Sequence, residues 1–451
     1  MIRKQIHDIL TNNQKDFESI SDQVWGFAET CFEENQSSAL QADYMKQRGF
    51  RVQTGVSNMP TAFVAEWGEG KPIIGILGEN DALASLSQEA DVAEYKPVTL
   101  GKPGHGCGHN LLGTAGMEAA CAVKEYLEQN HMSGTIRYYG TPAEEGGGGK
   151  VFMVLDHQFD DLDACFVWHP GSQWDVTTKG LAIVSAYFRF EGLAAHAAAA
   201  DLGRSALDAL ELMNVGINFL REHVRAGTLM HYSITNTGGP AANIVQQNAE
   251  GFYILRNESQ AYLKELFARV EDVARGAALM TGTKFVGAQI INNYANINPN
   301  PVLDQVALEN MKELLPLEYT VEELAYGQKF VDVGTKKEAE TPFKMEPTYG
   351  ESRICSDVCD VSWKAPLTHF FGCTLAQGTI GHNWMTVAQG KSSTAKKGMH
   401  AAAEIMANSA IDVLEKPELI AQAKEAFDKS IKNNPPYETL MVNCDPKDYR
   451  Q

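Results

Sequence analysis

Apolar positions in the first fifty residues recur at helical spacing. Ile6, Leu10, Phe17, Ile20, Val24, Trp25 and Phe27 fall on one or two neighbouring faces, which predicts helix through most of that stretch. Short apolar runs follow. T-A-F-V-A-E-W and P-I-I-G-I-L-G-E read as strands, the second ending in the polar cluster Glu79-Asn80-Asp81. After Gly108 the pattern predicts a helix of about twenty residues reaching Gln129-Asn130, then the strand T-I-R-Y-Y-G-T-P, with Glu144 and Glu145 just beyond it. A helix near 150–158 and the strand A-C-F-V-W, which delivers His169, continue the series. Such alternation over the first 170 residues favours an α/β sheet with its functional groups at the strand ends.

Near Gly180 the rhythm changes. L-A-I-V-S-A-Y-F-R-F-E-G is a long strand signal, followed by a helical stretch through Leu220, a strand pair (Met230 to Asn236, Ala249 to Arg256), a helix from Gln260 to Met280 and the strand F-V-G-A-Q-I-I. This predicts a compact α+β block over 180–296, inserted into a first domain made of 1–179 and 297–451. The turn-rich N-I-N-P-N-P marks the return. Glycines 146–149 read either as a mobile loop or as a close backbone approach beside the acidic pair.

At 451 residues and 44% hydrophobic content, the chain has material for two domains. Its formal charge of −19 argues against nucleic acid or an anionic membrane as a partner. There is no apolar run of about eighteen residues and no leader-like start, so a cytoplasmic location is expected. Eight scattered cysteines do not form a disulfide framework, and a reducing compartment would keep Cys107 available as a thiolate. Cys121, Cys165 and Cys373 read as small buried hydrophobes.

The sharpest chemical signal is G-H-G-C-G-H-N at 104–110. Its glycine-rich turn lets the backbone come close to an ion, and Cys107 and His109 offer a thiolate and an imidazole. Alone, Cys-x-His is weak, and a lone histidine beside Trp168 or a lone Glu-Glu pair is more often core or surface. Together, Cys107, His109, Glu145, His169 and His382 would supply enough donors for two divalent ions, with water or a bridging carboxylate.

The passages L-G-E-N-D-A-L, G-H-G-C-G-H-N-L-L-G, T-P-A-E-E-G, W-H-P, H-A-A-A-A, N-I-V-Q-Q-N-A-E, S-D-V-C-D-V-S-W and G-H-N-W-M-T-V-A-Q-G-K-S are collinear from about residue 75 to residue 405. In this set the chain resembles the dinuclear-metal amidohydrolases and carboxypeptidases that include aminoacylases and auxin-conjugate hydrolases. Within them it is most similar to the group of bacterial aminobenzoyl-glutamate hydrolase B subunits. The resemblance implies a catalytic domain with a mixed sheet flanked by helices, interrupted by a smaller lid and dimerisation domain. It implies Cys107, His109, Glu145, His169 and His382 as ligands of two zinc or manganese ions, and Glu144 as general base. It also implies His196 as a lid histidine steadying the oxyanion, and Asn243 and Arg256 as residues holding the substrate's amide or carboxylate. Asn110 stands where relatives often have aspartate, Cys359 where they have glycine, and no proline follows D-A-L.

The expected substrate is an N-acyl or N-aroyl amino acid resembling aminobenzoyl-glutamate, cleaved at its amide by activated water. A general aminoacylase or dipeptidase is the alternative among enzymes. The competing class is a non-catalytic binding subunit of the same fold, which would need neither Glu144 nor activated water. A structural zinc site is disfavoured, because only Cys107 and His109 form a close pair. A homodimer through the lid is expected, and a partner subunit is a further expectation.

Overall fold

The computed structural model describes residues 2–449. Two compact units emerge from its contacts: residues 1–179 with 297–434 and 445–451, and residues 180–296 with 435–444.

The first unit is built on an eight-stranded mixed sheet. In spatial order its strands are Arg51–Thr54, Phe63–Glu69, Gly134–Thr141, Ile73–Glu79, Ala164–Gly171, Leu367–Cys373, Asp175–Val176 and Thr348–Tyr349. Four neighbouring strands in the middle run parallel, with Glu79 opposite Thr141 and Phe371 opposite His169. Their carboxyl ends therefore open on the same edge, where α/β sheets collect their chemistry. These strands are buried along nearly their whole length, which is why they read as short continuous apolar runs.

The helix His109–Asn130 crosses this sheet. Seventeen of its 22 residues are buried, so it is enclosed by the fold nearly all round. Gly113 and Gly116 let it sit hard against the strand Ile73–Glu79: a Cβ at Gly113 would collide with the Glu79 carbonyl, and one at Gly116 would lie 3.1 Å from that of Leu77. The Trp168 indole N–H donates to the Leu112 carbonyl at 3.1 Å, tying the helix to the strand that bears His169. At the far end, His131 adopts a left-handed φ of 52° and stops the helix. The amino-terminal helical pattern resolves into two helices, Ile2–Phe27 and Asn35–Gln47. Between them residues 28–34 are irregular, with left-handed φ at Ala28 and Phe32, so apolar spacing alone overran a backbone reversal.

The second unit is a four-stranded antiparallel sheet in the order Lys284–Tyr294, Ala182–Glu191, Asn248–Asn257, Leu229–Asn236. Ser205 and Ser259 cap the helices Ala206–Leu220 and Gln260–Thr281, which pack on the sheet around Phe188, Phe190, Leu210, Met213, Leu263 and Leu266. Residues 435–444 join this unit, whereas the sequence reading ran the first domain on to 451. Leu440 donates its N–H to Asn293 Oδ1 at 2.8 Å and packs against the apolar core, and Glu438 pairs with Lys264. Among the described residues no helix is long and apolar enough to cross a membrane.

Candidate metal centre

Cys107 and His109 sit at the mouth of the helix His109–Asn130, in a turn that Gly108 makes with a φ of 78°. His109 is wholly buried. Its Nδ1 meets Asp81 Oδ1 at 2.9 Å, which leaves Nε2 without a hydrogen-bond partner, 3.2 Å from Glu79 Oε2 and 4.0 Å from both Glu144 Oε2 and Glu145 Oε1. His169 is oriented in the same way: its Nδ1 lies 2.7 Å from the Pro170 carbonyl, and its Nε2 lies 3.3 Å from Cys107 Sγ. A carboxylate or carbonyl behind a histidine, holding the other nitrogen's lone pair forward, is how metal-ligating imidazoles are supported. His382 arrives from a third segment at a left-handed φ of 53°. Its N–H donates to the Gly106 carbonyl at 3.0 Å, and its Nε2 stands 3.5 Å from Cys107 Sγ and 3.4 Å from Glu145 Oε2.

These contacts resolve into two groups that share Cys107: Cys107 with His109 and His169, and Cys107 with Glu145 and His382. Within each group the donor atoms lie within 4.8 Å of one another. A third group, Glu79 with His109 and Glu144, adjoins them. The buried atoms Glu79 Oε2, His109 Nε2 and Glu145 Oε1 have no hydrogen-bond partner. Unpartnered lone-pair atoms of this kind, with nitrogen, sulfur and carboxylate chemistry, fit a divalent metal ion.

The charges are steeply perturbed. Burial, with Glu79 and Glu145 nearby, pushes Glu144 well above the usual carboxyl range; burial also raises Glu145. It drives the Cys107 thiol upward and brings His169 down to about 4. Burial opposes a charged His109, yet Asp81 and Glu79 hold it well above its ordinary value.

The sequence reading gave no role to four residues that build this site. Glu79 and Asp81 come from the strand end it had noted only as polar. Lys150 is fully buried behind Glu79, its Nζ 2.6 Å from Glu79 Oε1 and 2.8 Å from Asp357 Oδ1. An ionisable residue opening the apolar run K-V-F-M-V was the available signal for Lys150, and S-D-V-C-D that for Asp357. Asn110 turns its amide to Ser21 Oγ and the Gly390 carbonyl, both at 3.0 Å. Glycines 146–149 are tightly packed in part: a Cβ at Gly149 would strike the Pro142 carbonyl, and one at Gly147 would lie 2.5 Å from the Phe32 ring.

On the second unit, His196 is exposed and caps a short turn, its Nδ1 accepting the Ala198 N–H at 3.0 Å. It is beside Asn243, whose carbonyl accepts the Ala197 N–H at 2.9 Å. Arg256 is not with them. It lies eight residues along the strand Asn248–Asn257 from the end nearest Asn243, about 26 Å from that end at roughly 3.3 Å per residue.

A model of peptidase family M20/M25/M40 matches residues 77–445. The chain is 38% identical to the B subunit of p-aminobenzoyl-glutamate hydrolase from Escherichia coli, over 99% of this chain and 98% of the other. It is 27% identical to a mouse Xaa-Arg dipeptidase over 91% and 88%. Among solved structures it shares its fold with an aminobenzoyl-glutamate utilization protein from Klebsiella pneumoniae, with a TM-score of 0.65 at 16% identity, covering 90% of this chain and 98% of the other. A dinuclear metal-binding M20 peptidase from Bacillus subtilis gives 0.58 at 15%, over 89% and 99%.

Proposed function

This chain belongs to peptidase family M20/M25/M40 and is a metal-dependent amide hydrolase, and we propose that it cleaves N-acyl or N-aroyl amino acids, aminobenzoyl-glutamate foremost, with Glu144 as general base. The observation that carries this reading is the pair of donor groups sharing Cys107, with the Glu144 carboxyl beside them. Cys107, His109, His169, Glu145 and His382 would hold two divalent ions, zinc or manganese. When bound, such ions polarise a carbonyl and make water a competent nucleophile near neutral pH.

Glu144 then carries the proton. It takes one from the attacking water as the new C–O bond forms, and returns it to the departing amine nitrogen as the C–N bond breaks. A carboxyl held far above its usual range by burial is suited to both halves of that exchange. His196 would donate to the oxyanion and Asn243 to the substrate amide. Arg256 would hold a substrate carboxylate, but not that of the substrate molecule whose amide Asn243 contacts in the same chain, given the distance between them.

A homodimer through the second unit is part of the proposal. The edge strand Leu229–Asn236 exposes Leu229, Tyr232 and Ile234, and the helix Ala206–Leu220 exposes Val215 and Phe219. A second, different polypeptide is proposed as well, because the Escherichia coli hydrolase is named for separate A and B subunits. Among the described residues no two cysteines are joined in a disulfide, which supports a cytoplasmic location.

The test is elemental analysis of wild type and Glu144→Ala, with release of free amino acid from aminobenzoyl-glutamate, N-acyl amino acids and dipeptides. About two ions per chain in both proteins, with a rate lower by roughly 10²–10⁴ in the variant, is expected. Preference for dipeptides would shift the substrate class to the dipeptidase alternative. A wild type that is metal-loaded yet inert, or that takes up no metal, would overturn the catalytic reading.

A further inference from the structure

Residues 28–34 have no regular structure, yet hydrogen bonds pin them on several sides. Thr30 bridges Ala82, and the Glu29 carbonyl accepts the Ala82 N–H at 2.7 Å. The Glu29 carboxylate caps the next helix by accepting the N–H groups of Gln36 and Ser37, each at 2.9 Å. Glu34 is completely buried. Its Oε1 accepts two backbone N–H groups at 2.9 Å: that of Phe32 in its own loop, and that of Ala143, 109 residues further on.

Ala143 is the residue before Glu144, and its φ is +61°. A left-handed conformation costs a residue with a Cβ on the order of 1–2 kcal/mol, so it persists only where neighbouring bonds hold it. Here the Ala143 carbonyl accepts the N–H groups of Gly147 and Gly148 at 3.0 and 2.8 Å, while its own N–H is taken by Glu34. Gly147 rests on the same brace, closely enough that a Cβ would lie 2.7 Å from Cys31 Sγ. On the other flank Asp81 Oδ2 accepts the Glu145 N–H at 2.8 Å. The corner bearing Glu144 and Glu145 is thus held by one carboxylate on each side. A hydrocarbon side chain could fill the Glu34 space without burying a carboxyl, but it could not accept the Ala143 N–H.

We propose that Glu34 is a positioning residue for Glu144: by accepting the Ala143 N–H it fixes the left-handed turn from which the Glu144 carboxyl is aimed, while Asp81 fixes Glu145 independently. This rests on Glu144 being the general base. Misplacing a catalytic group by about 1 Å costs on the order of 10²-fold in rate.

The test compares Glu34→Gln, which keeps a carbonyl acceptor of the same reach, with Glu34→Ala and Glu34→Asp, which withdraw it. Amide hydrogen exchange over 142–149 is read beside kcat, KM and metal content. Expected are lost protection of this segment in the Ala and Asp variants and a kcat lower by about 10–100-fold, with KM within about twofold and metal content unchanged. Glu34→Gln should restore both protection and kcat. Unchanged protection in folded Glu34→Ala or Glu34→Asp, or a Gln variant as impaired as Ala, would overturn the proposal. The exchange readout needs no substrate, so it stands apart from the reading of the reaction. An inert wild type would sink that reading, whereas an active wild type with equally active Ala and Asp variants would sink this one.

Discussion

Replacing Lys150 with methionine removes the only ammonium bonded to Glu79 and Asp357 among the described residues and leaves a side chain of similar length. Both carboxyls lie in a site with almost no solvent exposure. In the wild type, burial opposes a charge on Glu79, but Lys150 and His109 overcome it and hold the group below its usual range. Burial pushes Asp357 up to about 6 in spite of Lys150. Without Lys150 the cheapest response is for both carboxyls to take up protons. At about 1.4 kcal/mol per pH unit above their ordinary values, and allowing for the share Asp357 already bears, this comes to roughly 5 kcal/mol at pH 7. That agrees with the ~3–5 kcal/mol usual for breaking a buried pair. The sign follows from the shift. Carboxyls raised in the folded state cost nothing below their unfolded values near 4 and progressively more as pH rises, so the penalty should shrink to about 1 kcal/mol at pH 5. Urea unfolding followed by tryptophan fluorescence reports the relevant part of the molecule, because all six tryptophans lie in the first unit. Both proteins should be measured with the same chelator, since a bound ion would add its own stabilisation. A loss under about 1 kcal/mol at pH 7, or the same loss at pH 5 and pH 7, would refute this account of the buried triad.

Three further outcomes are expected. Burial opposes a charge on His400, but Glu118, 2.8 Å from Nδ1, and Glu18 push it up to about 9. Its contribution is therefore present below pH ~6.5 and lost as pH rises through 9, on the order of 3 kcal/mol at most; the urea midpoint should fall over that window, and Glu118→Gln should flatten the fall. Phe188 is fully buried against Tyr253, Phe267 and Phe285, so Phe188→Ala should cost about 3–5 kcal/mol of the second unit's stability in calorimetry. Gly149→Ala brings a Cβ onto the Pro142 carbonyl and must displace the corner bearing Glu144, so kcat should drop by roughly 10²-fold in a protein that still folds.

The parts legible in the sequence were those in which one short segment carries the whole signal. The helix after Gly108 reaches Asn130 because apolar residues recur at helical spacing as far as Leu127 and no proline interrupts them, and the strand Ala164–Gly171 is a buried run that ends by presenting His169. Cys107 and His109 are two residues apart, so a turn alone brings them together. What stayed hidden depends on partners far away in the chain. Lys150 is explained by Glu79 and Asp357, and the tie from Glu34 across to Ala143 joins residues 109 positions apart; no local pattern encodes either pairing. Glycines 146–149 read either as a mobile loop or as a close backbone approach, because a missing side chain is silent about what presses against it, and Gly147 and Gly149 take the second form. Arg256 and Asn243 belong to one motif, but a strand rises about 3.3 Å per residue and carries them to opposite ends of the sheet.

The same contrast bears on charge. A formal −19 spread over 451 residues says only that anionic partners are disfavoured. In the fold, Glu34, Glu79, Asp81, Glu144, Glu145 and Asp357 converge around the carboxyl ends of the central strands, and Lys150 is the lysine that meets them. Buried carboxylates in that excess are costly unless they are protonated or paired with a cation. At Glu144, whose pKa burial raises, protonation is one way to meet that cost. For the donors that face Cys107 it would forfeit the lone pairs that the hydrogen bonds of His109 and His169 are arranged to expose. A divalent ion resolves both demands at once, because it supplies the missing positive charge and uses those lone pairs.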